Sequence, residues 1–437
     1  MSNGDASSGL QRRRVANSSS GNGSSFRDED DDDVKRTRMS VSRASTSEPP
    51  KYHAGSAFEG GSKIAFDPRD MEQAAGEEAR VGGKLPKLTI MEEIMLLAVK
   101  DKQGYLSFWN DNISYALRGC ILIELALRRR IALVRDPNRR RVTPGERIVE
   151  VIDDRQTGET ILDEALRLMK GQQDIEKLSV NTWIDLMSGE TWNVMKVGFQ
   201  LKQVRERLLK GLVDKGILRT EKRNFLLFDM ATHPLADVRA KESVINRVVA
   251  LLTSTTSAIP PVAINIPPAD SRGGLLSSGT GTSGAGGLGG GGGGAEKEKD
   301  TVQCRVTRTV CMVCAAYAGS VLDNAFGRLG YEDREAAFGR CDDILSEFCV
   351  WPFGVQEGGS GSGGFGSSTP SSASAASRRA SLANRIATGG SNDPYGRESV
   401  LGLVAEARKE AKGGEDDLGF ELVAGVLEVL GRLDSLL

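Results

Sequence analysis

Apolar positions recur at helical spacing from about residue 85 onward and are sparse before it. Thr89 and Glu92 open a run in which Ile90, Ile94 and Leu97 share one face, a capping-box spacing that predicts a helix start. A turn at Gly104 leads to a second predicted helix, about 114–129, carried by Leu117, Ile121 and Leu125. Further helices are predicted at 160–170, 180–188, 191–210, 236–253, 304–326, 333–350, 397–411 and 418–434. In 191–210 the residues Val194, Val197, Leu201, Val204 and Leu208 follow a 3-4-3-4 spacing, which predicts one helix with a single buried stripe.

Two hairpins interrupt this pattern. Ile131–Val134 reads as a strand, Asp136-Pro137-Asn138 as its turn, and Arg141-Val142-Thr143 as the return. The second starts near Lys215–Leu218, turns at Glu221–Asn224 and runs into Phe225-Leu226-Leu227-Phe228. The chain thus repeats a helix followed by a small hairpin. The expected fold is mainly α: a single globular helical domain with small β-hairpins and disordered insertions.

Composition alters where that domain lies. The chain has 437 residues and 52 glycines, and low-complexity Gly/Ser stretches occupy about 262–300 and 355–393. Residues 1–84 combine Arg12-Arg13-Arg14, a Ser/Asn/Gly stretch and an acidic run from Asp28 to Asp33, with too little apolar area to offset backbone ordering. The expected organisation is a disordered leader over 1–84 and one domain over 85–437. Its low-complexity segments would leave as loops, because closure entropy grows only slowly with loop length.

The formal net charge of −2 hides local concentration. Arg128 to Arg147 contains eight arginines against Asp136 and Glu146, and a second basic stretch runs from Lys202 to Arg223. Such segments predict attraction for an anionic partner. No apolar leader suggests a signal peptide, and no window of eighteen apolar residues suggests a span. Six scattered cysteines fit a reducing cytosol, so membrane contact is expected to be peripheral.

Candidate chemistry is thin. Cys311-Met312-Val313-Cys314 has redox or zinc spacing, but it sits in an apolar helical pattern without a second cysteine pair, which favours core packing. The two histidines, His53 and His233, assemble no nucleophile–base set, and the Gly-rich tract lacks the Lys-Ser/Thr ending of a phosphate loop. No enzyme, cofactor or metal site is expected.

Binding features are richer. Phe225, Leu226, Leu227, Phe228 and Met230 form an apolar run directly after Lys222 and Arg223. This suits insertion into an anionic membrane interface, or equally a buried strand or subunit contact. Trp109 precedes the helix that carries Arg118, and Lys202 and Arg205 are spaced to share a helix face. A basic cluster beside an aromatic could hold a phosphorylated head group, or these could be ordinary solvated charges.

Several segments together resemble the Golgi phosphoprotein 3 family, in particular its fungal vacuolar-protein-sorting branch. They are Leu10–Val15, Lys63–Asp67, Lys87–Glu93, Gly104–Asp111, Leu117–Cys120, Ile123–Leu127, Leu186–Asn193, Asn224–Asp229 and Thr232–Leu235. The resemblance is close over 85–252 and looser over 302–350 and the C-terminal helices.

It implies a peripheral adaptor on the cytoplasmic face of the Golgi, exchanging with cytosol, that binds phosphatidylinositol 4-phosphate through Trp109, Arg118, Lys202 and Arg205. It implies a membrane-inserting hairpin over Asn224–Leu235, also used in homo-oligomer contact, and a COPI coat-binding cluster at Arg12, Arg13 and Arg14. It further implies recognition of the cytosolic tails of Golgi glycosyltransferases, retained through retrograde vesicles, with no nucleic acid as partner. The Gly/Ser insertions depart from the family pattern. The competing reading takes the two helix-plus-hairpin units as winged-helix-like nucleic-acid modules.

Overall fold

Thr89 begins the ordered core as the spacing predicts. Its hydroxyl accepts from the Glu92 amide at 3.3 Å, and the Glu92 carboxylate accepts from the Thr89 amide at 2.9 Å. The helix this box opens, α1 (Ile90–Ala98), is buried along its whole length. In this computed structural model the described residues are 82–106, 111–191, 193–225, 228–269, 301–355 and 394–433, with 76, 78 and 79. The side chains of 224–230 and 394–396 lie outside that description.

The described residues comprise ten α-helices. After α1 come α2 (Asp111–Leu127), α3 (Thr160–Gln173), α4 (Val180–Ser188), α5 (Val204–Asp214) and α6 (Val238–Thr253). Then follow α7 (Arg305–Ala318), α8 (Tyr331–Phe348), α9 (Pro394–Glu410) and α10 (Leu418–Leu430). No helix among the described residues is long and apolar enough to cross a membrane. The mainly α expectation holds.

Helix α2 is the axis of the packing: Ala116 to Leu127 is buried without a gap. It lies against α10, α7 and α4. A Cβ on Gly119 would come within 3.0 Å of Val426 Cγ1 and 3.2 Å of Leu430 Cδ2, so a glycine here lets α2 and α10 approach closely. The carboxylate buried in this apolar stretch is paired. Glu124, fully buried, accepts from Arg128 at 2.9 Å and from Arg308 of α7 at 2.9 Å. Glu92 of α1 meets Lys215 at 2.7 Å, and the buried Glu93 pairs with Arg247 of α6.

The two sheets are both two-stranded and antiparallel. β1 (Ile131–Leu133) pairs with β2 (Val149–Val151) in the register Ile131↔Val151, rather than with 141–143 as the turn signal predicts. Val149 and Val151 alternate onto the buried face, whereas Arg141, Val142 and Thr143 are exposed. Arg139–Arg141 instead forms a 3-10 turn, and Arg139 and Arg147 reach Glu421 of α10 at 3.0 and 2.6 Å. β3 (Glu221–Phe225) pairs with β4 (Phe228–Thr232), with Phe225 opposite Phe228. Glu221–Asn224, expected as a turn, is therefore strand.

The expected helix over 191–210 is also corrected. A 3-10 segment, Val194–Phe199, comes first, and α5 starts only at Val204 after Gln203 adopts a left-handed φ of 52°. Val194 and Val197 are exposed by 82% and 46%, so no continuous stripe exists. Gly189, Asn193 and Gly198 are the breaking signals that apolar spacing outweighed.

Cys311 and Cys314 are both fully buried in α7, as the packing reading expects. Burial pushes the Cys311 thiol well up, and a hydrogen bond with Cys341 together with burial does the same for Cys314.

Candidate anion-binding site

Arg118 lies in the first half of α2, on the face that meets α4. One turn earlier, Tyr115 Oη donates to Asp185 Oδ1 of α4 at 2.5 Å, fixing that face. Arg118 is only 6% exposed, and its guanidinium is spread over neutral acceptors. Nε donates to the Met187 carbonyl at 3.3 Å, and Nη1 to the Ser114 carbonyl at 2.9 Å and the Ser114 hydroxyl at 2.8 Å. Nη2 donates to the Leu201 carbonyl at 3.0 Å. Among the described residues no carboxylate lies within ion-pair distance of it. Burial pulls its pKa down to about 10, which still leaves it cationic at neutral pH.

The same two carbonyls close a loop. The Leu201 amide donates to Met187 O at 3.0 Å, so Arg118 grips both sides of the neck of the segment 188–200. Gly189 ends α4 with φ 91°, where a Cβ would meet Gln200 Nε2 at 2.3 Å. Asn193 caps the 3-10 segment, Phe199 sits edge-on to Trp183 with centroids 6.0 Å apart, and Lys196 reaches Glu176 at 2.7 Å. The described part of the loop is thus tied down by side chains of α2, α4 and the segment before α4.

Lys202 follows the neck directly. It is exposed and makes no hydrogen bond or ion pair with the described residues. Arg205 stands in the first turn of α5, partly exposed, and donates to the neighbouring Glu206 at 2.6 Å. Gln203 provides no side-chain cap, so the first amides of α5 add partial positive charge beside Lys202. Arg118, Lys202 and the start of α5 are thus neighbours along the chain at Leu201: one cation balanced only by dipoles, one exposed cation, and a helix N-terminus whose first-turn Glu206 is taken up by Arg205. This arrangement favours an anion with several acceptor oxygens, such as a phosphate ester.

Trp109, immediately before α2, lies outside the described residues, as do Leu226, Leu227 and the cluster Arg12, Arg13 and Arg14. For Phe225, Phe228 and Met230 only the backbone of β3 and β4 is placed. The exposed loop tip at Val194–Val197 was missed by sequence reasoning, which counted it into a helix.

The arginine-rich run is largely consumed inside the molecule. Arg128 pairs with Glu124, Arg129 with Asp417 at 2.6 Å, Arg130 with Asp153 at 3.2 Å, and Arg139 and Arg147 with Glu421. The expectation that this run attracts an anionic partner is corrected, and a nucleic-acid module at β1–β2 would lose most of its basic face. No cluster of three His, Cys, Asp or Glu side chains among the described residues could hold a metal ion.

A family model described as Golgi phosphoprotein 3 (GPP34) matches residues 90–350. The chain is 43% identical over 432 residues to vacuolar protein sorting-associated protein 74 of Schizosaccharomyces pombe, covering 99% of this chain and 100% of that protein. It is 40% identical over 375 residues to the protein of the same name from Eremothecium gossypii, covering 86% of this chain and 90% of that one.

Proposed function

The chain belongs to the Golgi phosphoprotein 3 family, whose name and sorting relatives mark a Golgi-associated adaptor, and from that premise we propose that it reads phosphatidylinositol 4-phosphate on the cytoplasmic face of the membrane. The observation that carries this reading is that Arg118, with no carboxylate among the described residues at ion-pair distance, donates to the Leu201 carbonyl directly before the exposed Lys202 and the start of α5. The 4-phosphate takes the exposed Lys202 and competes with Glu206 for Arg205, Arg118 supplies the underlying positive field, and Trp109 completes the head-group pocket. The β3–β4 hairpin, with Phe225, Leu226, Leu227, Phe228 and Met230, enters the lipid beside it or contacts another copy of the chain.

Lipid alone does not make an adaptor. In this reading residues 1–84 form a tether that brings Arg12, Arg13 and Arg14 to the COPI coat, and the folded part, 85–437, receives the cytosolic tails of glycosyltransferases for retrograde packaging. Contacts that are individually modest become selective when lipid, coat and tail are engaged together. The role is non-catalytic, and the protein is peripheral, exchanging with cytosol.

Flotation with vesicles that contain phosphatidylinositol 4-phosphate, or phosphatidylserine at matched charge, tests the lipid reading. The expected result is preference for the phosphoinositide, reduced about tenfold by Lys202→Ala, the loss of one charge-assisted contact. Equal binding of the unaltered protein to both vesicles would overturn it.

A further inference from the structure

Val194 and Met195 are 82% and 88% exposed, more than any other large hydrophobic side chain among the described residues. Val197, 46% exposed, lies on the same 3-10 segment. Their exposure is imposed by the loop: its neck is clamped by Arg118, Phe199 is turned inward against Trp183, and Lys196 is drawn to Glu176, which leaves Val194, Met195 and Val197 at the tip. Four residues lie between Val197 and Lys202, which makes five Cα steps. The Val197 end of the tip therefore lies no more than about 18 Å, Cα to Cα, from Lys202.

We infer that the Val194–Val197 turn is a second lipid-contacting element, a shallow wedge that enters the interface of an anionic bilayer beside the cationic site. It is distinct from the β3–β4 hairpin and rests on the membrane reading proposed above. Charge complementarity selects a bilayer as occupant: an apolar tip flanked by Lys202 and Arg205 matches an apolar interior beneath anionic head groups. Arg118 gives the tip a fixed place, because the guanidinium that underlies the anion site also closes the loop neck. Head-group capture and insertion thus share one rigid support.

The test is partitioning of the full chain onto the same two vesicle types, phosphoinositide-containing and charge-matched phosphatidylserine. Val194→Ser with Met195→Ser should lower partitioning about tenfold on both, the scale of keeping some two methylenes in water, and leave their ratio unchanged. Lys202→Ala should change the ratio. Tyr331→Ser, which removes another exposed apolar side chain on α8, should leave partitioning unaltered. A Met195→Trp variant should show extra fluorescence quenching by brominated lipid relative to the unaltered chain. Unchanged partitioning of the double serine variant overturns the wedge, as does an equal loss in Tyr331→Ser. Abolished self-association with intact vesicle binding would reassign the tip to a contact between copies and overturn it too. Failure of the head-group reading is separate: it is a missing preference between vesicles in the unaltered chain.

Discussion

Arg118 Nε, Nη1 and Nη2 satisfy carbonyls from three separate segments, whereas Lys202, next to one of those carbonyls, has no partner among the described residues. The two cations therefore fail differently when removed. Arg118→Ala removes the guanidinium donor from the Leu201 carbonyl and the second of two donors from the Met187 carbonyl, and unclamps the loop neck, at a cost of about 2–3 kcal/mol. Lys202→Ala exposes nothing and should alter stability by less than about 0.5 kcal/mol. Urea unfolding of both variants distinguishes them. Equal, small losses would mean that Arg118 is not the structural support of the loop. Lost lipid binding in Arg118→Ala therefore conflates ligand contact with loop integrity, and Lys202→Ala is the cleaner probe of the site.

At the scale of elements, legibility followed how local the determining interaction is. α1 and α4 stand where capping and periodicity place them, because Thr89 and Ser179 cap within three residues. β1 took the wrong partner because its true partner depends on Arg139 and Arg147 being drawn to Glu421, nearly 280 residues away, which no local signal carries. The identities of the site residues came from family resemblance, while Arg118's structural role did not, since carbonyl acceptors leave no mark in sequence. The pairing of α2 with α7 through Glu124 is a comparable long-range tie, and it is measurable. Burial alone would raise the Glu124 carboxyl, but Arg308 and Arg128 outweigh it and hold the pKa at about 2, against an ordinary 4.5. Its contribution is thus fully present above pH 4.5 and is lost as pH falls from there through 2, amounting to roughly 3 kcal/mol. Asp185 and Glu410, pushed up by burial, act in the opposite sense, so the whole-protein profile mixes both. The stability gap between the unaltered chain and Glu124→Gln isolates it: wide at pH 7, it should narrow steadily below pH 4.5. A gap independent of pH would show that the carboxylate charge is not what ties α2 to α7.

Across the whole molecule, the distribution of charge matters more than its sum. A net charge of −2 offers no general attraction to an anionic surface, and the conspicuous arginine run is spent holding β1, β2 and the intervening 3-10 turns to α10. Gly145 N also donates to Glu428 of α10 at 2.7 Å, extending the same seam. What reaches solvent from that run is chiefly Arg135, Arg140 and Arg141, with Arg140 within 3.6 Å of Asp416. Attraction for an anionic bilayer should therefore originate at the start of α5, where Lys202 and Arg205 stand at a helix N-terminus that Gln203 does not cap, with an exposed apolar tip on the preceding loop. Removing two charges at either place changes the net charge identically, so the pair of variants separates position from sum. Arg135→Ala with Arg141→Ala should change vesicle binding by less than about twofold, as expected of screened surface charge. Lys202→Ala with Arg205→Ala should weaken it more than about tenfold and flatten its salt dependence, because the lost contacts are the ones that desolvate. Flotation of both double variants at low and at physiological ionic strength reads the difference. Equal weakening by the two would return the arginine run to the membrane-facing side and assign the attraction to charge alone.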